Sequence, residues 1–348
     1  MMYEDDVPPE NRVDLAYSGL DLFPEHLSEK ADRIQSLHLN NNRILVLPRA
    51  VSLFQELRHL DISANGLTHV SGELTHLPNL RTFIAKNNLL EDGALPKELG
   101  RCLSLQVLNL SGNGFMEFPE QIEGMAGLRA LYFGANRLRT VPSEIKHMSR
   151  LEILYLGGNQ ISSLPLEVGS LSSLMSLVLC DNRLESIPPH LARLRNLRSL
   201  SLHNNRIAAL PSEIIALRNL TELSLRGNPL VVNFVRDLSY DPPTLLELAG
   251  RGVKNSGIPY GEGDVPPNLY RYLSLARKCP NPKCTGVYFD ARVKQIKFVD
   301  FCGKYRLPLQ QYLCSPRCTA PSPVTSSESE SDEEGAVPSD KIRRVLLG

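Results

Sequence analysis

LEILYLGGNQISSLP, Leu151 to Pro165, carries the pattern that decides the fold. Leu151, Leu154 and Leu156 stand at positions i, i+3 and i+5, Asn159 follows three residues later, and Leu164-Pro165 closes the stretch. In an extended segment this spacing turns Leu154 and Leu156 to one face, and Ile153 and Tyr155 to the other. The same frame recurs on both sides. Ile34, Leu37 and Leu39 precede Asn42, and Leu220, Leu223 and Leu225 precede Asn228. Between them lie Asn65, Asn88, Asn113, Asn136, Asn159, Asn182 and Asn205, every interval being 23 residues except one of 25 between Asn88 and Asn113.

The frame L-x-x-L-x-L-x-x-N-x-L resembles the leucine-rich repeat. A weaker copy, Val13, Leu15 and Leu20, is expected to cap the array. One repeat cannot bury its leucines alone, so the fold expected over residues 13–240 is a stacked α/β leucine-rich repeat solenoid, a horseshoe of about ten repeats. Strands about 4.8 Å apart then give an inner arc on the order of 45 Å, a surface of protein rather than small-molecule size. Leu-Pro pairs such as Leu164-Pro165, Ile187-Pro188 and Leu210-Pro211 are expected to open the outer face. Asparagine at the turn can bond backbone groups of the neighbouring turn and form a ladder.

The outward strand positions read as a binding surface with an apolar centre and a polar rim. Ile84, Val107, Asn109, Tyr132, Ile153, Tyr155 and Val178 are the candidates for holding a protein target. Single apolar residues are ordinary on any surface; here they are contiguous across neighbouring repeats. His38, His59 and His203 are expected to be solvated rim, and the columns hold no arrangement suited to catalysis.

Composition narrows the classes. Lys and Arg number 38 against 38 Asp and Glu, so the net charge is zero and general nucleic-acid binding is disfavoured. Residues 1–12 are acidic and expected to be flexible, without a signal-like apolar run, and no later stretch reads as a membrane span. Seven cysteines in such a chain are expected to be reduced, in the cytoplasm or nucleus.

After the repeats, Asp241-Pro242-Pro243 supplies an expected N-cap, and Leu245, Leu248, Ala249 and Val253 share one face of a helix. A helix here can simply cap the last repeat. Further on, Cys279-x4-Cys284 and Cys314-x3-Cys318 are separated by 29 residues, with Cys302 between the pairs. Two such pairs can form one tetrahedral thiolate zinc site in a ribbon-like module over 279–318, the alternative being buried or idle thiols. A RING needs two complete zinc sites, and five cysteines after Cys180 with no histidine after His203 are too few. From Thr319 to residue 348 the chain turns serine-rich and acidic, and is expected to stay disordered.

Thr244-Leu245-x3-Ala249-x3-Val253 resembles the BC box of SOCS-box and VHL-box proteins, with alanine where that pattern has cysteine. Pro266-x-x-Leu269-x-x-Tyr272-Leu273 resembles the second half of the cullin 5 box, and Ile258-Pro259 suits the looser cullin 2 box. Together, over 241–278 and behind a recognition array, they resemble the leucine-rich repeat receptors of Elongin-cullin ubiquitin ligases. That resemblance implies a non-catalytic substrate receptor of the ubiquitin-proteasome pathway. Leu245, Leu248, Ala249 and Val253 would bind Elongin B/C. Ile258, Pro259, Pro266, Leu269, Tyr272 and Leu273 would meet cullin 5 or cullin 2, whose RING subunit does the chemistry. The rival expectation is a repeat scaffold, for example one docking a small GTPase, with no ligase role. The two separate on whether the helix presents or buries its leucines.

Overall fold

The repeat leaves few residues between one strand and the next, and this sets the architecture of the computed structural model, which describes residues 7–231, 242–301, 305–319 and 344–346. The described chain divides into two compact units, one from residues 1–207, 213–229 and 338–348, the other from 208–212 and 230–337. The expected boundary at 240 therefore needs correction, because Ala208–Ser212 belongs with the second unit.

The first unit is built on an eleven-stranded parallel sheet. Three-residue strands follow one another in sequence order from Arg12–Asp14 to Glu222–Ser224, in unbroken register. The weak first copy does form the first strand. The last strand is Arg344–Leu346, parallel to Glu222–Ser224, so this piece of the tail is ordered where disorder was expected. Opposite the strands lie 3-10 turns such as Ser143–His147, Leu166–Ser170 and Pro189–Arg193, each entered through a proline (Pro142, Pro165, Pro188). The α half of the expected α/β repeat is thus replaced by 3-10 turns, apart from one α-turn at Glu120–Glu123. A 3-10 turn rises about 2.0 Å per residue against about 1.5 Å for α, so it spans more of the outer face with fewer residues.

Leu151, Leu154 and Leu156 are fully buried, as are their counterparts along the array. The repeat asparagines are buried or half-buried beside them and satisfied from both sides. Asn159 Nδ2 donates to the carbonyls of Phe133 (3.0 Å) and Leu156 (2.9 Å), while its Oδ1 accepts from the Leu138 N–H (3.0 Å). Asn182 repeats the arrangement one turn on. Each such side chain stitches neighbouring repeats and spares the turn unpaired backbone groups, which would cost about 1–3 kcal/mol each when buried. The residue before each asparagine is left-handed: Ala64, Gly112, Ala135, Gly158 and Asn204 all have φ between 50° and 71°.

In the second unit a helix, Leu245–Ser256, is followed by another, Pro267–Ser274. Arg277–Lys278 pairs antiparallel with Val287–Tyr288, and Val293–Phe301 pairs antiparallel with Tyr305–Leu313. Leu210–Pro211 adds to the latter pair as a parallel strand beside Leu309 and Gln310. Val293, Leu307, Leu309 and Leu313 form the buried side of this small sheet. The first helix is capped by Thr244, whose Oγ1 accepts from the Glu247 N–H at 3.2 Å. This corrects the expected Asp241 cap, and Asp241 itself lies outside the described residues.

Candidate functional site

On the repeat sheet, register lines up the outward residues. Ile84 stands beside Asn109, Asn109 beside Tyr132, Tyr132 beside Tyr155, and Tyr155 beside Val178. All five are half-buried, as are Val107 and Ile153 in the flanking column, while Ala130 between these two is buried. The Tyr132 and Tyr155 rings stand 6.3 Å apart at 36°. Gly134 lies beneath Tyr155, since a Cβ there would come within 2.2 Å of the ring. Gly157 makes the same room for the Cys180 sulfur. These two glycines thus seat neighbouring side chains.

At one end of this band the adjacent Cys180 and Asp181 meet His203 from the next repeat. The Cys180 thiol, Asp181 and the His203 ring offer atoms all within 4.8 Å of one another. Asp181 accepts from Asn204 Nδ2 (2.7 Å), and the His203 Nδ1 bonds the Ser201 hydroxyl (2.9 Å). Burial, then the Asp181 carboxylate, pushes the Cys180 thiol up to about 12. A thiol held protonated by its carboxylate neighbour is the opposite of an activated nucleophile. The histidines also differ from expectation: His59 is buried and its ring lies 4.9 Å from that of His38.

The second unit presents an inverted helix. Leu245 is 86% exposed, and Leu246, Leu248, Ala249 and Val253 are exposed too, whereas Glu247 is only 2% exposed and Gly250 is buried. The inward face is held by charge. Glu247 accepts from the backbone N–H groups of Phe289 (3.1 Å) and Ala291 (2.8 Å). Arg251 donates to Glu247 through Nε (3.0 Å) and Nη2, to the Cys314 carbonyl through Nη1 (2.8 Å), and to the Ala291 carbonyl. Burial works against the Glu247 charge, but the Ala291 N–H, Arg251 and the Phe289 N–H outweigh it and hold the carboxyl below its ordinary range. Gly250 lets the helix approach Phe289 and Tyr272, for a Cβ there would sit 3.1–3.2 Å from their rings.

The second helix divides the cullin-box-like residues. Leu273 is 5% exposed, in a cluster with Val287 and Phe289, and Tyr272 stacks on Phe289 at 4.5 Å and 10°. Leu273 and one face of the half-buried Tyr272 thus pack within the unit. Ile258, Pro259 and Pro266 are exposed, and Leu269 is half-buried. P-x-x-L-x-x-Y-L has helical spacing, so the same residues could face a partner or the unit's own core, and only packing tells which.

Behind the first helix, the sulfurs of Cys279, Cys284, Cys314 and Cys318 all lie within 4.8 Å of one another. Two of the separations, Cys284–Cys314 and Cys314–Cys318, are 3.5 Å. Cys302 lies outside the described residues. Among those described, no helix is long and apolar enough to cross a membrane.

Register, asparagine ladder and the parallel sheet of three-residue strands define a leucine-rich repeat solenoid. Residues 32–90, 103–161 and 172–230 match the family model described as Leucine rich repeat. The chain is 66% identical over 342 residues to leucine-rich repeat-containing protein 58 of Xenopus laevis, covering 97% of each. It is 70% identical over 304 residues to the Homo sapiens protein of the same name, covering 86% of this chain and 82% of that one. The chain therefore belongs to the leucine-rich repeat family, in the group that leucine-rich repeat-containing protein 58 represents. Among solved structures it is similar to the LRR ectodomain of the plant membrane receptor kinase GASSHO1/SCHENGEN3 from Arabidopsis thaliana, at TM-score 0.53 and 32% identity over 60% of this chain and 26% of that one. A TDR receptor gives TM-score 0.51 and 26% identity, covering 63% of this chain and 43% of that one. A repeat protein of this kind is suited to protein–protein interaction, and no enzyme activity is indicated.

Proposed function

We propose that the chain is a non-catalytic substrate receptor of an Elongin BC-cullin-RING ubiquitin ligase, working in the cytoplasm or nucleus. The observation that carries this reading is the helix Leu245–Ser256, which keeps its leucines in solvent while anchoring itself through Glu247 and Arg251. A capping helix would bury that face; a helix offered to a partner keeps it open. Leu245, Leu248, Ala249 and Val253 form the Elongin-facing surface. Ile258, Pro259, Pro266 and Leu269 remain for cullin 5 or cullin 2. The band from Ile84 to Val178, anchored by Tyr132 and Tyr155, holds the protein target, and the cullin's RING subunit supplies the transfer chemistry. Rigid, half-exposed tyrosines suit such a role because they offer large area at low entropy cost.

The test is capture of purified Elongin B/C by the purified chain, beside Leu245→Asp and beside a Tyr132→Ala/Tyr155→Ala double variant. The expected result is binding by the wild type and the double variant, lost in Leu245→Asp. A folded wild type that captures no Elongin sinks the adaptor reading and leaves a repeat scaffold.

A further inference from the structure

The geometry points to a metal-set clamp: Cys279, Cys284, Cys314 and Cys318 hold one structural zinc ion, and the ion fixes the leucine-presenting helix through Arg251. The four sulfurs come from two chain segments and fit one tetrahedral centre. Zinc–sulfur bonds of about 2.3 Å require sulfurs about 3.8 Å apart, close to the 3.5 Å separations seen. The backbone is shaped to the cluster. The Gly286 N–H points at the Cys284 sulfur (3.3 Å), and the Gly286 carbonyl accepts from the Cys279 N–H (2.9 Å). A side chain at Gly286 would crowd both Cys314 and Cys284 at 3.1–3.2 Å. Asn281 ties the two segments by donating to the Cys318 carbonyl (3.1 Å). An all-sulfur tetrahedral set selects zinc or iron over hard cations.

The link to the helix is one residue long. Arg251 bridges Glu247 on the helix to the carbonyl of the ligand Cys314, and Glu247 in turn grips the strand end at Phe289 and Ala291. Groups that orient a metal's ligands gain from the metal what the metal gains from them, so ion binding and helix docking reinforce each other by the same factor. The clamp stands independently of the partner's identity; its consequence, metal-dependent capture of Elongin, rests on the adaptor reading above.

The full chain, purified without added metal, is analysed for metal by plasma emission and for helix protection by hydrogen exchange, before and after chelation. The expected result is a single zinc ion per chain, lost in Cys284→Ser. Arg251→Met, which keeps the bulk of the side chain, should retain zinc about 10- to 100-fold less tightly against a competing chelator. Stripping the metal should abolish protection across residues 248–256 while amides of the repeat sheet, such as Leu154 and Leu177, stay protected. Finding no metal, or finding iron, overturns the zinc site. Zinc present with helix protection unchanged on stripping overturns the clamp. If the zinc-loaded wild type shows both effects yet captures no Elongin, the adaptor reading fails and the clamp stands.

Discussion

Leu154 and Leu245 each sit on a periodic apolar face, one of a strand and the other of a helix, yet one is wholly buried and the other 86% exposed. The repeat leucines have a neighbour above and below by construction, so apolar pattern and burial coincide. The helix Leu245–Ser256 has charge and glycine on its inner face, and among the described residues its leucines are exposed. Periodicity therefore reports a face that wants covering; in the repeats the chain covers it, and in the helix the leucines stand exposed.

The strongest way to break this contrast is to truncate both leucines. Leu154→Ala should lower unfolding stability by about 3–4 kcal/mol, through lost transfer energy and a cavity that the stacked sheet cannot close. Leu245→Ala should stay within about 0.5 kcal/mol of wild type in the same urea titration. Equal losses would mean that the helix buries its leucines after all.

Glu247→Ala comes next, because it strips the half-buried Arg251 of its carboxylate partner and two backbone N–H groups of their acceptor. A loss of about 3 kcal/mol is expected, read as helix exchange rising while the repeat sheet is undisturbed. The pH dependence has a defined sign. The Glu247 carboxyl is held below its ordinary value, so its contribution is complete above the unfolded value of about 4.3 and disappears as pH falls through the lower folded value. Acid should therefore loosen the helix of the wild type more than that of Glu247→Ala, beyond the loss of thiolate-bound metal common to both.

The smallest effect sharpens the account of the repeat. Ala135 holds a left-handed conformation at φ 51°. Gly112, Gly158 and Gly227 occupy the equivalent position in other repeats, at φ 66–71°. Ala135→Gly should stabilise by about 0.5 kcal/mol, the relief of strain exceeding the entropy given to the unfolded chain. A loss of stability in thermal unfolding would show that the turn, not the residue, sets that conformation.

How far each region could be read follows from how local its rules are. The strand register, the asparagine ladder and the proline entry to most outer turns are legible because the repeat states them again and again. The outer 3-10 turns are not, since Leu-Pro followed by five residues fits an α-turn equally well until the span of the repeat is known. His203 meets Cys180 and Asp181 only because neighbouring repeats stack. Tyr272 and Leu273 fit a partner motif and a packing motif with the same letters, and Phe289 decides between them.

The sequence by itself determined a curved stack of repeats, the tyrosine-centred column on its strands, a helix with one leucine face, and two cysteine pairs. Tertiary structure decided that the helix turns Glu247 inward and Leu245 outward, and that the cysteine pairs converge behind it. The physical reason is that solenoid burial is nearest-neighbour and repeats in the sequence. The helix's orientation is set by hydrogen bonds from the Phe289 and Ala291 N–H groups and to the Cys314 carbonyl, 42 to 63 residues away, which no local pattern encodes.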